Sequence, residues 1–167
     1  MNAYKLTDAG AYSYQDTGYN LKIAKDVTLK VDGGDAPGQI ILNSSSDGWS
    51  PSVIRGGTID FGTSPGVLWA GTARAESGTT EPSVTIGSTI SGSAGVTFAG
   101  QPTVAFDKPA WFLTSAAGWT GPTYVNGSTL SVKASDRLPS GGDVYVARTG
   151  MLFLDGTLTL NQNLHLK

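Results

Sequence analysis

Residues 21–34, LKIAKDVTLKVDGG, place Leu21, Ile23, Val27, Leu29 and Val31 at alternate positions against Lys22, Thr28 and Lys30, and end on a glycine pair. Period-two alternation of aliphatic with polar residues predicts a strand with one buried face, and Asp32-Gly33-Gly34 supplies the turn that ends it. The same unit recurs down the chain. Apolar pairs fall at Ile40/Leu42, Ile59/Phe61, Val67/Trp69, Val84/Ile86, Val96/Phe98, Val104/Phe106, Leu130/Val132, Val144/Val146, Leu152/Leu154, Leu158/Leu160 and Leu164/Leu166. Between them stand Gly56-Gly57, Pro65-Gly66, Asn126-Gly127, Pro139-Ser140-Gly141-Gly142 and Asp155-Gly156, residues that accept a positive φ or preset it near −65°. Many short strands are predicted, and no helix of useful length.

Such a pattern closes in two ways. Asn-Gly and Asp-Gly between alternating runs make hairpins of an antiparallel β-sandwich or jelly roll, or they turn the corners of a parallel β-helix. The apolar pairs recur every ~20–26 residues, the length of a solenoid coil, so the all-β, right-handed parallel β-helix is the expected fold and the antiparallel sandwich its alternative. Residues 21–167 form the predicted β-helix domain. Residues 1–20 differ in composition, with Tyr4, Tyr12, Tyr14 and Tyr19 among Asp, Asn, Gln and Thr. Two roles are open for them: docking, because tyrosine offers contact area with a polar handle, or capping of the edge that a first coil exposes.

The 167 residues suit one folded unit. Only 14% are charged and Gly numbers 23, a composition that excludes charge-driven disorder and disfavours helices. Lys plus Arg is 11 against Asp plus Glu 13, with no basic run to track phosphates, so nucleic acid is not an expected partner. The absence of cysteine removes disulfides, thiol nucleophiles and thiolate metal sites. Neither a secretory apolar run near Met1 nor a stretch of ~18 apolar residues occurs, so membrane insertion is not expected.

From Thr114 onward the chain reads Trp119-Thr120-Gly121-Pro122-Thr123-Tyr124-Val125-Asn126-Gly127-Ser128-Thr129-Leu130, then Leu138-Pro139-Ser140-Gly141, Asp143-Val144, and Gly150-Met151-Leu152-Phe153-Leu154-Asp155-Gly156. Over residues 114–160 this resembles the passenger-associated strand repeat of bacterial autotransporters, with Trp119 where that repeat usually has Tyr and Ser128 where it usually has Gly. The resemblance implies a right-handed parallel β-helix used for surface display. Similar β-helices form tailspikes, fibres and head decorations of tailed bacteriophages. A short, cysteine-free chain with no secretory signal fits that setting, so the expected function is a non-enzymatic structural protein of a bacteriophage virion. A major capsid or other virion protein and a homotrimer are the expected partners, with host surface polysaccharide as an expected contact. A bacterial cell-surface passenger or adhesin is the alternative.

Catalytic groups are scarce. His165 is the one histidine, no G-x-S-x-G elbow accompanies it, and its neighbours Leu164 and Leu166 put it on an outward strand face. Glu76 and Glu81 sit in a Ser/Thr/Gly-rich loop, and Asp32, Asp35, Asp47, Asp136, Asp143 and Asp155 lie beside turn residues, where capping explains them. No cofactor or metal site is expected. Candidate interface or glycan contacts are Tyr4, Tyr12, Tyr14 and the turn-borne Trp49, Trp111 and Trp119, which are also suited to capping the solenoid; Trp69, alternating with Val67, is expected in the core or packed between coils.

Overall fold

The computed structural model describes residues 20–44, 52–72, 83–100 and 110–167. The strands are, in chain order, β1 (Asn20–Lys22), β2 (Thr28–Lys30), β3 (Gly38–Ser44), β4 (Ser52–Asp60), β5 (Gly66–Thr72), β6 (Ser83–Gly92), β7 (Val96–Gly100), β8 (Ala110–Leu113), β9 (Ala117–Trp119), β10 (Thr123–Asn126), β11 (Thr129–Val132), β12 (Asp143–Val146), β13 (Met151–Leu154) and β14 (Asn163–Leu166). A single 3-10 turn, Ser135–Arg137, separates β11 from β12.

From β3 onward the chain passes back and forth between two sheets. One runs β1-β4-β6-β8-β11-β13, with β2 also on β4 and β9 also on β6; the other runs β3-β5-β7-β10-β12-β14. Every strand pair among the described residues is parallel. That overturns the antiparallel alternative. Asn126-Gly127, with Gly127 at φ 65°, carries the chain from β10 in one sheet to β11 in the other instead of folding a hairpin. The result is an all-β, solenoid-like parallel fold.

Inward side chains form columns across the sheets. Ile40, Leu68, Phe98, Val125, Val146 and Leu166 are successive rungs of one column. Its middle is sealed, with Leu68 at 0% exposure, and it opens at the C-terminal end, where Val146 is at 7% and Leu166 at 74%. On the facing sheet Val84, Trp111, Leu130 and Leu152 stand in register. Each rung is covered by its neighbours, so the rung at the end of a column is left open to water.

Serine and threonine hydroxyls tie the coils together. Ser64 Oγ donates to Asp32 Oδ1 (2.6 Å), Ser88 Oγ to Gly56 O (2.5 Å), Ser115 Oγ to Gly87 O (2.8 Å) and Ser128 Oγ to Phe98 O (2.8 Å). These bonds span 32, 32, 28 and 30 residues, so each joins segments one repeat apart; toward the C-terminus, Asn163 reaches Asp143 across only 20. The earlier coils are thus longer than the ~20–26 residues expected, because loops can lengthen outward without disturbing the stacked strands.

Two expected strands come out differently. Residues 21–31 make not one strand with a buried face but β1 and β2, both exposed, around a turn in which Val27 N donates to Ala24 O and Asp26 sits at φ 66°. The break matches a bulge in β4: the pairing shifts between Arg55 and Thr58, with Gly56 and Gly57 at φ 75° and 49°. In β5 the buried pair is Leu68/Ala70 and not Val67/Trp69. Gly66 sets this phase, because its Cα lies against the buried Phe61 ring, which leaves no room there for a side chain. Leu158/Leu160 pack on the core without forming a strand, and Val104/Phe106 lie outside the described residues.

Candidate functional site

The outward face of the β3–β14 sheet carries a stack of rings near the C-terminal end. Tyr124, Tyr145 and His165 occupy the same rung position on β10, β12 and β14. Tyr124 and Tyr145 stack with centroids 5.1 Å apart and planes 15° from parallel; Tyr145 and His165 do so at 4.4 Å and 13°. Parallel pairing forces this contact, since adjacent strands run ~4.8 Å apart and in-register side chains repeat at that spacing. Lys167 Nζ lies 5.4 Å from the Tyr145 ring centre, within cation–π range.

A polar cluster borders the stack. Asn163 Nδ2 donates to Asp143 Oδ1 at 3.1 Å, and His165 Nε2 lies 3.2 Å from the same oxygen. The Asn163 bond, then the His165 bond, hold the Asp143 carboxyl below its ordinary value. Burial, then the Asp143 charge, push the Tyr145 phenol up. The ring faces of Tyr145 are taken by its two neighbours, so the stack works as a staple across three strands.

The opposite sheet presents a second aromatic feature. Phe112, Ser131 and Phe153 are successive outward rungs on β8, β11 and β13. Phe153 is half exposed and Met151 beside it nearly as much, whereas Ser131 between the two rings is 2% exposed. Its Oγ is buried and has no hydrogen-bond partner. Val53 and Thr85 continue the column toward the N-terminal coils.

Of the candidate contacts, Trp111 and Trp119 are corrected by their burial. Both are strand residues of the core, at 0% and 3% exposure, packed against Phe98 at 5.9 and 6.1 Å. Each indole N–H is satisfied inside, Trp111 Nε1 on Ala99 O and Trp119 Nε1 on Thr123 Oγ1, both at 3.2 Å. Buried indoles need such partners, and neither ring is available to a glycan or a partner protein. Trp69 is not in the core: it is outward and half-buried, on the rung between Ile41 and Ala99, with its ring over Gly71. Tyr4, Tyr12, Tyr14, Tyr19 and Trp49 lie outside the described residues, as do Glu76, Glu81 and Asp47.

Asp32 does cap a turn, accepting Gly34 N at 3.0 Å and Ser64 Oγ at 2.6 Å. Asp155 and Asp136 are instead paired with Lys133 and Arg137 at 3.0 Å. Among the described residues no group of three or more His, Asp or Glu is placed to hold a metal. The ring stack escaped the sequence reading, yet part of its signal is visible there: Tyr145 and His165 each stand between two aliphatic residues, Val144/Val146 and Leu164/Leu166, about one repeat apart, whereas Tyr124 stands between Thr123 and Val125. Comparison of the chain with protein-family models, curated proteins and solved structures finds no match.

Proposed function

We propose that the chain is a right-handed parallel β-helix that serves as a non-enzymatic structural module on the surface of a bacteriophage virion, as a head decoration, knob or fibre. The handedness follows the general rule for crossovers between parallel strands. The observation that carries the reading is where the polar chemistry goes: hydroxyls of Ser64, Ser88, Ser115 and Ser128 are spent on neighbouring coils, and Asp143, Asn163 and His165 on one another. A chain that commits its functional groups to stiffness works through surface and shape. The low charge and abundance of glycine fit a module selected for stacking. A homotrimer seated on a capsid or other virion protein, with host polysaccharide as a weak contact, completes the proposal.

Quantitative mass spectrometry of purified particles tests it. Hundreds of copies per particle support a decoration, a handful support a tail fibre, and absence overturns the virion reading. A bacterial surface passenger is the second reading, favoured by the segment 114–160, which spans β9 to β13. An open reading frame that continues into a membrane barrel would establish it in place of the first.

A further inference from the structure

We propose that Phe112, Ser131 and Phe153 form a slot for a single pyranose ring, held between the two phenyl faces and hydrogen-bonded at its edge by the Ser131 hydroxyl. Leu130 and Val132 point into the core at 0% exposure, so alternation turns Ser131 outward, and the parallel register sets Phe112 one rung before it and Phe153 one rung after.

Two rungs of a parallel sheet span ~9.6 Å, about twice the distance at which flat rings stack. The other sheet shows how that space is filled when the middle rung carries a ring, with Tyr145 at 5.1 and 4.4 Å from its neighbours. Here the middle rung is a serine, whose Oγ is buried and unpartnered. A buried hydroxyl without a partner is costly, and a ligand that enters between the rings and pairs with it recovers that cost. Phe153 is half exposed and free to change rotamer.

The occupant must have two apolar faces and a hydroxyl-bearing edge. A pyranose has both, through its axial C–H faces and equatorial hydroxyls, whereas a plain aromatic ring would leave Ser131 unpaired. A nucleotide would need a free cation for its phosphate, and Lys133, on the same strand face, is already paired with Asp155 at 3.0 Å. This deepens the surface-display reading by naming the ligand class, and rests on it only for the preference for a sugar.

Saturation-transfer NMR on the full chain tests the slot, with methyl β-D-glucopyranoside, methyl β-D-xylopyranoside and, as the aromatic control, toluene, each at millimolar concentration. The expected result is saturation of sugar ring protons by the wild type, with binding about tenfold weaker in Phe153→Ala and Phe112→Ala. Ser131→Tyr, which supplies its own middle ring, abolishes binding while the circular dichroism spectrum is kept. Phe153→Ala alters a half-exposed side chain and serves if Ser131→Tyr does not fold. The proposal is overturned if neither sugar is saturated, if wild type and variants respond alike, if toluene binds and the sugars do not, or if Phe153→Ala changes the sedimenting mass, which would make the face a contact between copies. Particle counts address display separately: a chain absent from virions that still binds sugar through Ser131 retires the virion reading alone.

Discussion

The imidazole of His165 lies flat on the phenol of Tyr145, with centroids 4.4 Å apart and planes 13° from parallel, one coil beyond the contact that stacks Tyr145 on Tyr124. Because β14 pairs among the described residues with β12 alone, this contact fastens the end strand of the sheet. His165→Ala is expected to lower stability by ~0.5–1.5 kcal/mol, and His165→Phe, which keeps the stack but not the Asp143 bond, by less. Urea denaturation followed by circular dichroism checks this. Equal losses for the two variants would assign the effect to Asp143 and not to the stack.

Leu130 and Leu166 both face inward, yet Leu130 is sealed at 0% exposure and Leu166 stands at 74%. Leu130→Ala is expected to cost ~2–5 kcal/mol by lost transfer and an unfilled cavity, and Leu166→Ala within ~0.5 kcal/mol. Thermal unfolding of the two variants compares them directly. A large loss from Leu166→Ala would mean that the C-terminal end is covered in solution.

Much of the core was legible in the sequence, because alternation at Val84/Ile86, Val96/Phe98 and Leu130/Val132 fixes both strand and face, and all six residues are buried. In Gly66-Val67-Leu68-Trp69-Ala70 an unbroken apolar run carries no alternation, and the choice between faces is made by the Phe61 ring, a side-chain contact from outside the strand that the pattern of the run does not encode. Residues 21–31 misled for a related reason: the break between β1 and β2 answers the Gly56-Gly57 bulge in β4, which lies a whole coil away. Trp111 and Trp119 sit beside turn formers in the sequence, but their large rings fill the space around Phe98 that smaller side chains leave. Phase within a strand was local information; which ring fills which gap was not.

Gly57 should be among the least replaceable glycines. It holds φ at 49°, and a Cβ there would meet the Ile23 side chain and the carbonyls of Val27 and Ala24. Gly141 has φ 70° but open space around it. Gly57→Val is expected to cost more than ~3 kcal/mol, strain and collision together, and Gly141→Ala only about 1 kcal/mol from the left-handed backbone. The midpoints of chemical denaturation separate them. A Gly57→Val protein as stable as wild type would show that the β4 bulge can relax.

Stability should fall in acid through two carboxylates. The Asn163 amide, then the His165 ring, hold Asp143 below its ordinary 3.8, and the Ser64 hydroxyl, then the Gly34 amide, do the same for Asp32. A carboxyl whose folded value lies below the unfolded one contributes stability that is fully present above 3.8 and is lost as pH falls through the folded value, because the unfolded chain then binds more protons. The urea midpoint is therefore expected to be flat from neutral pH to about pH 5 and to fall below about pH 4. Asn163→Leu and Ser64→Ala should each make that fall shallower. A midpoint unchanged in strong acid would remove both carboxylates from the account.

Ser131 supplies the sharpest opposition between stability and binding. Its buried Oγ has no partner, so Ser131→Ala deletes an uncompensated polar group without opening a cavity larger than one atom. The expected outcome is a protein as stable as wild type or more stable by up to ~1–2 kcal/mol, against the usual direction for a buried site. The same substitution removes the one hydrogen-bonding group at the base of the slot between Phe112 and Phe153, so sugar affinity should drop as stability rises. Thermal unfolding and sugar titration on the same variant read the two effects. A Ser131→Ala protein that loses stability would mean that the hydroxyl has a bonding role in the folded chain, and the cost that a ligand is proposed to relieve would not exist.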